Sequence, residues 1–451
     1  MKQENLEIFF FLSQWAANFK FSQIPVIVIE AAKRSMIDTF AVGCAGSTRS
    51  IIKSLKECSQ ELYSGTNANY LDCETTLSPV GAALINGAAC HVLDFDDTFY
   101  PGVLHPSTVV FPAALAVAQG INSDGKSLLT AMIAGLECEC IIGKIVEDTL
   151  YDQGWFPTVI LGVVGSAIAA SHLLQLSPLQ TYHAINIAFS QGSLLQKRGI
   201  SVRPYLVGRA ASIGVESAYL ARRGIALKTD SFQQAIQQIF ARINPNTNFE
   251  ISKLQELGKV WSLVEPGFAI KKYPACSSVQ TAGEGLENLV KQYKITPDEI
   301  VSVECEVTAF INKSLDFDRP KTPTEAQFSL QFALASLLIY GELTPRQLTE
   351  ATLKNSQLQE MMKKIKMSVG LSHINQREYP EATQITITMK SGKKVSQVVK
   401  IYTGMPNNPM SQQQLYEKFV LCCQRFDYST LFNRLLHCET LTDSKNLTAL
   451  K

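Results

Sequence analysis

The sequence has no excess of charge of either sign: 41 Lys and Arg stand against 40 Asp and Glu, a net charge of +1 in 451 residues. That removes any bulk electrostatic case for nucleic acid or an anionic membrane as partner, since both are held by strongly basic surfaces. Any anion bound here must be held by a few placed cations. Charged residues are scarce altogether, 18% against 46% hydrophobic, which excludes a disordered or solvating chain. No apolar stretch is long enough for a bilayer span. Glu4 and Glu7 precede only the short run Ile8–Leu12, which is wrong for a signal peptide.

Metal and cofactor signatures are also missing. The eleven cysteines, Cys73 and Cys58 among them, are odd in number, scattered and set mostly in apolar runs, the pattern of reduced, buried thiols. Neither Cys138 with Cys140 nor the adjacent Cys422 and Cys423 has zinc spacing, and the six histidines are scattered. There is no P-loop, dinucleotide fingerprint or nucleophile elbow. The expectation is a reduced cytoplasmic globular protein without a structural metal.

What is present divides the chain. Up to about residue 265 apolar residues recur at helical spacing, from Phe9, Leu12, Trp15, Ala16 and Phe19 onward. The small-residue runs Ala82–Ile85, Ala113–Ala118 and Gly162–Ala170 suit helices buried on most faces. No strand alternation is apparent there. From about 266 the period becomes two: Val301, Val303, Cys305 and Val307 alternate with polar residues, and so do Ile385, Ile387 and Met389 before a Ser391-Gly392 turn into Val395–Ile401. Helices are expected at Glu325–Tyr340, at Thr344–Leu358 with Thr344 as its cap, and over Ser411–Leu436. The reading is a mainly α protein. A large all-helical domain is built from both chain ends (1–265 and 404–451), with a smaller α+β lid over 266–403.

The densest polar cluster in an apolar setting runs His91, Asp94, Asp96, Asp97 and Thr98, then His105-Pro106-Ser107. On a continuing helix His91, Asp94 and Thr98 share one face, and a turn at Pro101-Gly102 folds His105 back over it. A carboxylate, a hydroxyl and an imidazole so gathered can tune a proton-transfer histidine. The plain alternative is a set of capping acids and satisfied core histidines. Lys271-Lys272 before Tyr273-Pro274 can present an ammonium to a cleft, or form a solvated linker. Arg203, between small-residue helices, needs an anionic partner if buried, either an acidic side chain or a substrate carboxylate.

Taken together, these segments resemble the 2-methylcitrate dehydratase and cis-aconitate decarboxylase family, MmgE/PrpD. The run Asn86-Gly87 through His91, Asp94, Asp97 and Thr98 with His105-Pro106-Ser107 carries the resemblance. Trp155-x-Pro157-Thr158, Arg203-Pro204 through Gly208-Arg209, Lys271-x-Tyr273-Pro274-x-Cys276, Glu325–Ser329 and Lys418-Phe419 follow in order. The resemblance implies a helical domain with a lid, a homodimer, no cofactor, and a small carboxylate handled by dehydration, decarboxylation or isomerisation. It also implies catalytic roles for Asp94, Thr98, His105 and Lys271. Arg203 and Lys272 would bind substrate. At Phe156, Leu206 and the Cys276–Gln280 segment the family pattern has histidines that this chain lacks. That points to a substrate less charged than a tricarboxylate. A proton-transfer isomerase, or a ligand-binding member without catalysis, stays open beside the lyase.

Overall fold

Helix α1 (Ile8–Asn18) leads into the long α2 (Val26–Gly46) and then α3 (Ser50–Leu62). A two-residue hairpin, β1 (Ala68–Asn69) with β2 (Thr76–Leu77), interrupts the half of the chain expected to be purely helical. Helix α4 (Pro79–His91) starts where Ser78 accepts the Gly81 N–H, with Pro79 in the first turn. α5 (Ser107–Gly120), α6 (Gly125–Val146), the short α7 (Thr149–Asp152), α8 (Pro157–Leu173), α9 (Pro178–Ser190) and α10 (Arg203–Arg222) complete this half. The computed structural model describes residues 8–71, 75–147, 149–192, 202–226, 250–424 and 427–447; Glu4, Glu7 and Cys73 lie outside them.

α4, α5, α6, α8 and α10 pack on one another and are apolar on nearly all faces, as a central layer requires. Close approach needs small residues. A methyl group at Gly208 of α10 would lie 2.0 Å from the Leu84 carbonyl oxygen of α4, so only glycine allows that contact. Because α10 also packs on α8, Arg203 at the start of one helix comes beside Phe156, which precedes the other.

Beyond residue 270 come α11 (Ser277–Tyr293), β3 (Ile300–Val307), α12 (Ala309–Ser314), α13 (Pro323–Ala326), α14 (Leu330–Tyr340), α15 (Glu350–Leu353), α16 (Ser356–Lys363), β4 (Ile365–Val369), β5 (Thr383–Met389) and β6 (Lys394–Val399). The sheet order is β4-β3-β5-β6; β4 runs parallel to β3 and the other pairs are antiparallel. Val303 pairs with Ile387 and Cys305 with Ile385, and α11 packs on β5 and β6 while α14 packs on β4. The protein is thus mainly α with a smaller α+β part.

Three local expectations change. The helix expected from Thr344 begins later, because the Gln347 side chain accepts from both the N–H and the hydroxyl of Thr344 and closes a turn. Thr349 and Asn355 then cap two short helices instead. Glu325–Tyr340 is likewise split, with Ser329 capping the second piece. Strand β4 lacks alternation (only Ile365 is buried), so periodicity gave no sign of it. Near the C-terminus Ser411 caps α17 (Gln412–Cys422), and Asp427 caps a separate α18 (Tyr428–Leu436). Both pack on α2. No helix among the described residues is long and apolar enough to cross a membrane.

Candidate functional site

The polar cluster after α4 is a turn, not the helical face expected of it. α4 stops at His91, the Asp94 N–H donates to the His91 carbonyl, and Asp94 itself takes φ +47°. Aspartate tolerates that left-handed conformation better than most residues. Thr98 and Ala269 then exchange backbone hydrogen bonds (2.9 and 2.8 Å), and Phe99 pairs with Leu104 across the Pro101-Gly102 turn. The first exchange carries the distant 269–271 segment to the turn. Lys271, fully buried, donates to the Asp94 carbonyl (2.8 Å) and to its carboxylate. From the C-terminal α17, Lys418 donates to the Phe95 carbonyl (3.0 Å), lies over the Phe95 ring and pairs with Asp38 at 2.6 Å.

These contacts set the protonation states. Burial by itself would raise the Asp94 pKa, but Lys271, His105 and Arg203 together outweigh it and hold the carboxyl well below its usual range. Burial opposes the Lys271 charge in the same way, and Asp94 and Asp96 overcome it and raise the ammonium's pKa. Asp96 is lowered against burial by His91, whose Nδ1 lies 2.8 Å from its carboxylate. Asp97 goes the other way. Burial pushes it up to about 8, although it accepts from the N–H and hydroxyl of Ser107.

His105 has a fixed tautomer. Its Nδ1 sits 2.8 Å from the Asp97 carbonyl, which can only accept, so Nδ1 carries the proton and Nε2 the lone pair. Thr98 Oγ1 is 3.5 Å from the same nitrogen. Burial, aided by Lys271 and opposed by Asp96 and Asp94, pushes the ring down to about 4. At neutral pH it is a base.

A cleft opens beside this turn. Asp94, Thr98 and His105 line it, as do Trp155, Phe156 and Arg203, and Cys276, Ser277, Phe310 and Phe328 from the sheet-containing part. The Arg203 guanidinium lies 4.1 Å from the Phe156 ring centroid and 5.3 Å from that of Phe328. Among the described residues it forms no ion pair, and its Nε is buried without a hydrogen bond. Arg203 is the one cation lining the cleft among the described residues.

Not every candidate is brought here. Lys272 pairs with Glu287 at the surface, its side chain 40% exposed, because the chain after Lys271 turns away from the cleft. Gln280 is spent on backbone. Its carbonyl accepts from Lys272 and Tyr273, and its amide donates to the Tyr273 and Ala275 carbonyls, closing the turn before α11. Leu206 packs on the core and is not among the lining residues. Cys276 lines the cleft as a thiol, since burial pushes it up to about 11. Phe310 and Ser277 were not anticipated and carry no sequence signal. Phe328 lies in the Glu325–Ser329 motif but gave no hint of stacking on Arg203.

Asp94, Asp96 and His105 offer ligand atoms within 4.8 Å of one another, so they are the group that could hold a metal ion among the described residues. Lys271 and His91 already balance both carboxylates, and a cation bound there would have to displace them.

Two family models match the chain: the MmgE/PrpD N-terminal domain over residues 11–240 and the MmgE/PrpD C-terminal domain over residues 273–430. Among curated proteins, the chain is similar to cis-aconitate decarboxylase of Homo sapiens, 26% identical over 421 residues, covering 87% of this chain and 82% of the relative. The Mus musculus cis-aconitate decarboxylase is 25% identical over 449 residues (94% and 89%). That of Aspergillus terreus is 23% identical over 431 residues (90% and 87%).

Proposed function

Because this chain belongs to the MmgE/PrpD family, we propose that it is a dehydratase- or decarboxylase-type lyase working through an enolate-like state on a small carboxylate. The substrate bears fewer charges than a tricarboxylate and carries an apolar arm. The observation behind this is Arg203: an unpaired guanidinium, stacked on Phe156 and Phe328, in a cleft that holds a neutral, tautomer-fixed His105. One planar cation matches one carboxylate bidentately. Beyond Arg203 the described lining offers the hydroxyls of Thr98, Tyr151, Ser277 and Ser314 for a second carboxylate but no second cation. A third, desolvated and unmatched against Trp155, Phe156 and Phe310, costs about 1–3 kcal/mol or more. The same rings suit a hydrocarbon or aromatic arm.

In this reading His105 takes the proton α to the carboxylate, Thr98 and the Asp97 carbonyl orient its ring, and Asp94 with Lys271 supplies a fixed local field. Arg203 meets the carboxylate on which negative charge develops. Residues 1–265 and 404–451 act as the body and 266–403 as a lid, with the cleft between them. The enzyme works as a homodimer without metal or organic cofactor.

A panel tests this with the full chain, products followed by mass spectrometry: cis-aconitate, 2-methylcitrate, benzylmalonate (decarboxylation to 3-phenylpropanoate) and 2-benzylmalate (dehydration). Turnover is expected for an aryl-armed dicarboxylate, with His105→Gln lowering kcat by about 10²–10⁴. Tricarboxylate turnover at about 1 s⁻¹ or faster, with no activity on the aryl probes, would overturn the substrate assignment.

A further inference from the structure

A neutral His105 can take a proton but has none to give, and either lyase reaction also needs a proton delivered, to the leaving hydroxide or to the carbanion. We infer that Ser277, hydrogen-bonded to the buried Glu381, is the proton donor of the cleft. This rests on the lyase reading above. Ser277 is the first residue of α11 and lines the cleft next to Cys276. Its hydroxyl donates to Glu381 Oε1 at 2.8 Å, and the Ser278 hydroxyl lies 3.4 Å from the same oxygen. When Glu381 is protonated on Oε1 the first bond reverses, the acid donating to Ser277 Oγ and leaving the serine O–H free for the cleft. Of the hydroxyl groups lining the cleft, Thr98 belongs to the His105 ring, and Tyr151 and Ser314 bond each other at 2.8 Å. Ser277 is the one joined to a carboxyl group.

Glu381 is fully buried, and its Oε2 has no hydrogen-bond partner. An ionised carboxylate in that position would leave a desolvated charge half unmatched, whereas a neutral acid would not. Burial pushes Glu381 up to about 7, opposed by the two serine bonds, by Lys271 and by the Tyr100 hydroxyl. The titratable groups around it are Lys271, Tyr100, Cys276 and Tyr402; the last and Tyr100 place their hydroxyls 3.2 Å apart. The segment is held firmly. The Thr281 hydroxyl donates to the Glu381 carbonyl at 2.6 Å and lies 3.0 Å from that of Thr383. His105 near 4 and Glu381 near 7 form a pair whose surroundings push a base and an acid apart, the arrangement that assigns acid and base roles at one site.

As the substrate C–O or C–C bond breaks, the Ser277 O–H gives its proton to the departing hydroxide or to the carbanion left by CO₂. The proton on Glu381 Oε1 passes to Ser277 Oγ, so the serine is restored and Glu381 becomes a carboxylate near Lys271. In dehydration the proton taken by His105 balances the one delivered. In decarboxylation Glu381 regains its proton from water after product leaves. Ser277 is the catalytic residue, and Glu381 is a positioning residue that acts through it.

Two measurements on the full chain test this. Infrared difference spectra from about pH 5 to about pH 9 should show a protonated-carboxyl band titrating near 7. Asp97 and Glu137, buried carboxyls also pushed up, add bands of their own, so the Glu381 component is the one lost in Glu381→Gln, and it should be displaced in Ser277→Ala. With benzylmalonate and 2-benzylmalate, kcat should fall as pH rises through that value, because the acid form is needed. Ser277→Ala and Glu381→Gln should each lower kcat by about 10²–10⁴ at unchanged KM. The double variant should be no worse than either single one, and Ser277→Thr, which keeps the hydroxyl, should restore turnover. A missing band, or one indifferent to Ser277, overturns the inference even if the lyase reading stands. So does a Glu381→Gln enzyme that keeps the alkaline fall in kcat. A wild-type chain that shows the band but turns over none of the four panel substrates overturns the lyase reading, and the donor role with it.

Discussion

Between His91 and Ser107, ionisable side chains sit in matched sets: Asp94 with Lys271, Asp96 with His91, Asp97 with Ser107. At the start of α10, facing the same cleft, Arg203 has aromatic rings stacked on it and, among the described residues, no ion-pair partner. The turn has spent its charges on itself, and the arginine has kept one for something else. A buried ion pair adds little net stability over an apolar packing, but removing one partner is costly. An unpaired guanidinium stacked on rings is cheap to hold, because arginine is weakly hydrated and its face favours aromatics. On the reading proposed above, the turn supplies the base His105 and the field around it, and the Arg203 wall meets the ligand carboxylate.

The comparison breaks most visibly at Lys271. Lys271→Met leaves Asp94 buried and uncompensated, and should cost about 3–5 kcal/mol in denaturant unfolding. In that variant the Asp94 pKa rises above its unfolded value, so the loss should be smallest at acid pH and grow as pH rises. Adding Asp94→Asn should recover much of the stability. A loss under about 1 kcal/mol would mean the turn does not depend on its internal pairing. Arg203→Leu is the counterpart. Stability should stay within about 0.5 kcal/mol. Affinity for an aryl-armed dicarboxylate should fall by about ten- to a hundredfold, the loss of a charged hydrogen-bond pair, as measured by calorimetry. An Arg203 variant that unfolds like the Lys271 one would erase the distinction. The smallest effect is expected at Phe156→His, which adds a donor beside Arg203. Cis-aconitate turnover should rise by about fivefold, one hydrogen bond's worth, and no rise would show that Phe156 does not decide substrate charge.

How far the residues announced this arrangement differs by element. The buried helices and the β3 and β5 strands were legible because their signal is local: small-residue runs for helices in a central layer, and alternation for strands with one buried face, broken only where a register shift at Ile300–Ser302 turns Val301 outward. Strand β4 was not, since its pairing with β3 leaves most of it exposed. Asp94 and Thr98 read as one helical face, yet α4 ends at His91 and the bridge from Thr98 to Ala269 takes over. That bridge is a long-range pairing with no periodicity to announce it. Lys272 and Gln280 had the right chemistry for a cleft, and a turn of backbone sent both elsewhere.

By itself the sequence determined the fold class, the family resemblance and the gathering of acids and histidines between His91 and Ser107. These rest on nearest-neighbour spacing and residue type, which the chain carries wherever it goes. Tertiary structure alone decided which charges cancel. Lys271 reaches Asp94 across 177 residues, Lys418 arrives from α17, Glu381 comes to Ser277 from just before β5, and Arg203 forms no ion pair among the described residues. The physical reason is that ionisation and hydrogen bonding depend on distances of a few ångströms and on exclusion of water, and both are set by packing between segments far apart in the chain.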